Sequence, residues 1–181
     1  MATAGQLRQE FQQYLDQKGC RYTVVDESDN IVRIGFAASS HMEDGGHRTR
    51  IYVDFDEEPD VDGIPCVHFV AQDFASCTAE NVPAVLVKLN ELNKRFRWAK
   101  FWLDQSDNTI SCDGDAMIFE GSVGSECWRF VIHVSNIVEK GFIELGSLVK
   151  DNLADDGGNG GPSQSELLAM LEALRGMLGQ Q

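Results

Sequence analysis

The chain has 181 residues, enough for one self-sufficient core and an appendage, and its 43% hydrophobic and 24% charged residues are ordinary for a soluble globular protein. Against 29 Asp and Glu stand 15 Lys and Arg, a formal net charge of −14. Phosphate backbones and anionic lipid are held by clustered Lys and Arg, so nucleic acid and membrane are poor partners and basic or amphipathic polypeptides better ones, although acidity also serves plain solubility.

The N-terminus, MATAGQLRQEFQQYLD, has no basic patch followed by an apolar stretch, and it reads as a first helix rather than a signal peptide. Leu7, Phe11, Tyr14 and Leu15 make its apolar stripe, and Gly19 stands where a C-terminal glycine stops a helix. YTVVDESDNIVRIGFAA then gives two β-rich runs around the turn cluster Asp26 to Asn30. RIYVDFDEE alternates cleanly, with Ile51, Val53 and Phe55 on one side, and IPCVHFVAQDF is the next strand. Together they predict an antiparallel meander.

A central helix is predicted from near Glu80, with Pro83 in its first turn and Val82, Val85, Leu86, Leu89 and Leu92 as its buried stripe. After Phe96 the period falls to two: Ala99, Phe101 and Leu103 face one way, Trp98, Lys100 and Trp102 the other. The turn QSDN and the run TISCD complete a hairpin. Either helices bury this strand on both faces, or Trp98 and Trp102 line an exposed or partner-covered face, where large aromatics are enriched.

From Val123 to Leu153 an apolar stripe at helical spacing predicts one long closing helix, with Gly141 and Gly146 as places for a bend or break. ADDGGNGGP, residues 154–162, reads as a linker that ends a domain spanning 1–153. Residues 163–181 read as a separate amphipathic helix: Ser163 and Glu166 match a capping box, and Leu167, Leu171, Leu174 and Leu178 form a narrow stripe flanked by Met170 and Met177. So short a helix is marginal alone in water, so its stripe calls for a cover: its own domain, a second protomer or a foreign protein.

No enzyme signature emerges. Glu58, Asp60, Asp62 and Gly63 mimic the start of a calcium loop, but Phe69 stands where the bidentate Glu is needed. Cys66 and His68, with Asp54 or Asp73, can be drawn as a nucleophilic set, yet no strained nucleophile turn or oxyanion loop accompanies them. Cys127 and His133 add no metal-ligand spacing, so neither metal nor other cofactor is expected. GSVGSE, residues 121–126, lacks the Lys of a phosphate-binding loop and reads as a helix entry. The five cysteines, Cys20, Cys66, Cys77, Cys112 and Cys127, are scattered and show no C-x-x-C, which points to a reducing, cytoplasmic setting.

The order helix, hairpin, long helix, together with LNELNKRFRWAKFWLD at residues 89–104 and the hairpin Trp102 to Cys112, resembles the YbjN family over roughly Gln6 to Asn152. These are small bacterial proteins described as sensory transduction regulators, with a fold similar to that of type III secretion chaperones. The resemblance implies an α+β domain whose antiparallel sheet is covered by helices chiefly on one face. It implies a non-enzymatic protein that binds another polypeptide, in regulation or as a chaperone-like adaptor, and it transfers no catalytic residue. Because related folds dimerise, it also implies a homodimer, with Leu89, Leu92 and Phe96 as the expected seam and Val85 and Leu86 turned to the sheet. The alternatives are a small-ligand or enzymatic domain on the concave sheet face near His68 or His133, and a structural assembly unit.

Overall fold

The computed structural model describes residues 2–26, 30–37, 48–56 and 66–152. The linker, the C-terminal segment with Leu167, Leu171, Leu174 and Leu178, and the acidic segment 57–65 lie outside the described residues. The chain opens with helix α1, Ala4–Gln17, started by Thr3 and Gln6, each of whose side chains accepts the other's backbone N–H. Four strands follow: β1 Thr23–Asp26, β2 Ile31–Ala37, β3 Arg48–Phe55 and β4 Cys66–Ser76. Helix α2, Val82–Arg95, leads to β5, Lys100–Asp104, and β6, Thr109–Met117. Helix α3, Val123–Leu145, passes through a 3-10 turn at Gly146–Leu148 into a two-residue strand β7, Lys150–Asp151.

The strands form one antiparallel sheet in the order β1-β2-β3-β4-β6-β5, with β7 added to β4. Alternation decides its faces. Val32, Ile34, Ile51, Val53, Phe55, Val67, Phe69, Ala71, Phe101, Ile110 and Cys112 point to one side, where Leu7, Phe11 and Leu15 of α1, Val85, Leu89 and Leu92 of α2, and Val131, Val134 and Val138 of α3 close the core. All three helices pack on that side. The fold is therefore α+β with an antiparallel sheet and a single helical layer.

Two departures from regular geometry position the rest. On β4, Gln72, Asp73 and Phe74 stand opposite Ser111 alone, and Asp73 takes a left-handed conformation (φ 48°), which Asp and Asn tolerate better than most residues. The buried Ser111 hydroxyl fills this bulge, accepting the Asp73 N–H at 2.9 Å and donating to its carboxylate at 3.3 Å. The second is the stop of α3. The predicted continuous helix to Leu153 ends at Leu145 because Gly146 adopts φ 52°, and the chain turns back to pair with β4. The other glycine suspected of breaking the helix does not: Gly141 stays helical, where a Cβ would lie 2.4 Å from the Phe101 ring.

At one end of the sheet, Asn93 of α2 acts as a surrogate strand. Its Nδ2 donates to the Phe101 carbonyl at 2.9 Å and its Oδ1 accepts the Phe101 N–H at 2.8 Å. Lys100 Nζ reinforces the junction by donating to the carbonyls of Asn93 and Phe96 at 2.7 and 2.6 Å.

Candidate functional site: the open face of the sheet

Among the described residues, no helix covers the second face of the sheet. Register lines its residues in rows. Arg33, Tyr52, Val70, Asp113 and Lys100 run in line across β2, β3, β4, β6 and β5. One step along, Ile31, Asp54, His68 and Asp115 form a parallel row, with Cys66 paired to Met117 beyond it. Trp102 stands across from Ser111, next to Asp113, and is 42% exposed.

The centre of this face is electrostatically organised. His68 Nδ1 is in hydrogen-bond contact with Asp115 Oδ1, an acceptor that favours the Nδ1–H tautomer, and Nε2 lies 3.9 Å from Asp113 Oδ2. Burial pushes the Asp113 carboxyl above the usual carboxylate range. His68 opposes that shift, Asp115 adds to it, and the Trp102 indole, hydrogen-bonded to Asp113, opposes it again. The arrangement holds the Trp102 ring in place and pairs charge within the sheet surface. No group of three or more His, Cys, Asp or Glu suited to a metal ion occurs among the described residues.

The expected site residues separate into three environments. Leu89 and Leu92 are 3% and 1% exposed and fill the chain's own core, so the expected seam is corrected. Phe96 is half-buried, its ring 6.2 Å from Phe101 and stacked beneath the Arg95 guanidinium. On α2 it is Leu86, expected to face the sheet, that joins Val87 in solvent. Trp98 and Trp102 do not share a surface. Trp98 is 60% exposed but sets its ring edge-on to Phe130 of α3, which in turn stacks on Phe69 of β4 on the core side of the sheet. The physical cause is that β5 begins only at Lys100, so the two-residue period does not reach Trp98. Among the described residues, helices cover only one face of this strand.

The remaining candidates lose chemical force. Asp54 lies directly across from His68, but the contacts of the imidazole run to Asp113 and Asp115. Asp73 belongs to the Ser111 bulge. Cys127 is buried and His133 exposed on α3, and burial pushes the Cys112 and Cys127 thiols well up, which leaves them unreactive. The segment GSVGSE does open a helix, and its cap comes from afar: Glu10 of α1 accepts the N–H groups of Gly121 at 3.3 Å and Val123 at 3.1 Å.

Asp113 and Asp115 are what the sequence reading missed. Their i, i+2 spacing is visible in the sequence, but nothing local shows that the strand continues past Asp113 or that β6 lies beside β4 with His68 opposite Asp115.

No protein-family model matches the sequence, and no curated protein matches it. Among solved structures, the chain is similar to YbjN from E. coli, described as a proposed transcription regulator. The TM-score is 0.54 at 16% identity, over 80% of this chain and 96% of that one. At that identity the likeness concerns the fold, and the chain has a YbjN-like fold.

Proposed function

We propose that this chain is a regulatory or adaptor module, without catalysis of its own, that recognises another polypeptide on the open face of its sheet. The carrying observation is the one-sided fold: the helices lie on one face, and the other presents Trp102, Tyr52, Val70 and Met117 among paired charges. Aromatic and Met side chains set in a rim of charge are the composition of a protein-binding surface. The regulatory description of the YbjN structure agrees with this reading. A net charge of −14 favours regulation through a protein over direct contact with DNA.

The test is affinity capture from native lysate with three full-length baits: unaltered, Trp102→Asp, and Ile143→Asp as a control on the exposed surface of α3. Loss of a specific partner from the Trp102 variant alone is the expected outcome. A partner lost only with Ile143→Asp would move recognition to the helical layer and overturn the assignment.

A further inference from the structure

The described region ends at Asn152, beside the edge of β4. β7 occupies one edge of β4 at Ala75 and Ser76, and β3 occupies the same edge from Val67 to Val70, because β6 holds the opposite edge on both sides of the bulge. A chain running on from Asn152 therefore cannot continue in the plane of the sheet. On one side of that plane the helical layer fills the space. Asn152 is pinned at this point: its N–H donates to the Phe74 carbonyl at 3.4 Å, its Nδ2 to the Asp73 carbonyl at 3.2 Å, and its Oδ1 accepts the Ser76 hydroxyl at 2.6 Å. Ser76 is paired with Thr109, which is paired with Asp104, in the register of the open face. Among the described residues, no helix occupies the space over that face.

We infer that residues 163–178 dock in cis on the open face of the sheet, covering Trp102 and its neighbours, and that a partner must displace them. Reach is sufficient. The ten residues from Leu153 to Pro162, rich in glycine, span roughly 16–19 Å as a coil. Trp102 lies three strands from β7, about 14 Å at ordinary strand spacing. Chemistry fits as well: the leucine stripe, with Met170 and Met177 beside it, needs a broad and partly apolar floor, which Trp102, Val70, Tyr52 and half-exposed Met117 supply. The short tether makes the second event intramolecular, so even a weak contact is held at high effective concentration. This inference rests on the open face being the recognition surface, and it adds the occupant that regulates it.

The experiment uses the full chain carrying Trp98→Phe, which leaves Trp102 and the buried Trp128 as emitters. Adding Leu171→Glu and Leu174→Glu is expected to shift Trp102 emission to the red and expose it to acrylamide quenching. A synthetic peptide of residues 163–181 added to that variant should restore the shielding. Unchanged emission and quenching on substitution overturns the inference. Shielding in the parent that disappears on dilution assigns the occupant to a second copy and also overturns it. Lysate capture with the unaltered and Trp102→Asp baits separates the two claims, since shielding without a partner lost on Trp102→Asp means that docking stands and the recognition reading fails.

Discussion

His68 meets a carboxylate at each ring nitrogen, and the two partners differ: Asp115 is largely exposed, whereas Asp113 is partly buried and hydrogen-bonded to the Trp102 indole. For Asp113 the folded pKa is raised, chiefly by burial. A group of that kind adds stability only below its unfolded pKa, about 3.9 for Asp, and the contribution is lost as the pH rises through the folded value. At neutral pH the ionised carboxylate therefore costs stability. Asp113→Asn, which keeps shape and an acceptor for Trp102, is expected to raise Tm at pH 7, with the gain vanishing as the pH falls below about 4. Thermal melts across that range check it, and a variant less stable at pH 7 would show that the His68 contact outweighs the burial.

At the scale of elements, the packing of α3 on β5 sets a sharper constraint. The Phe101 ring occupies the space a Cβ would take at Gly141, and it is boxed in by Phe74 at 6.1 Å and Phe96 at 6.2 Å. Helix propensity alone would reward Gly141→Ala by about 1 kcal/mol. Overpacking a ring that cannot swing aside costs about 1–3 kcal/mol, so the substitution is expected to be net destabilising in urea melts. Phe101→Leu should relieve it, giving a coupling energy of opposite sign in a double-mutant cycle.

Much of this level was legible in the sequence. Alternation identified β2, β3 and the hairpin, and the stripes identified three helices, because burial against a single layer imposes one period on each element. What escaped was set by partners distant in sequence. Leu86 and Leu89 both fit the apolar stripe of α2, and only the packed sheet selects Leu89 for the core. The bulge at Asp73 depends on Ser111, 38 residues away, and the open-face cluster depends on a register between β4 and β6. The stop of α3 was half-visible as a glycine, but the pairing of β7 with β4 was not.

For the whole molecule, the expectation of a homodimer now falls on the residues α2 actually exposes. With Leu89 and Leu92 committed to the core, Leu86 and Val87 are the apolar pair left on its outer surface. Light scattering at micromolar concentration is expected to give twice the 20.1 kDa chain mass, and Leu86→Glu with Val87→Glu to halve it. A monomer mass for the parent would remove the dimer, and a dimer surviving both substitutions would move its seam elsewhere.

The Asn93 clamp on Phe101 bears on a different kind of assembly. A sheet lengthens by strand addition only where its terminal backbone groups are unspent, and here the β5 end has its Phe101 groups taken by a side chain of the same chain. A strand recruited from outside at this end must displace the Asn93 side chain. Extension of the sheet at the β5 end therefore first breaks two hydrogen bonds inside the chain, a cost that weighs against open-ended strand addition along that edge.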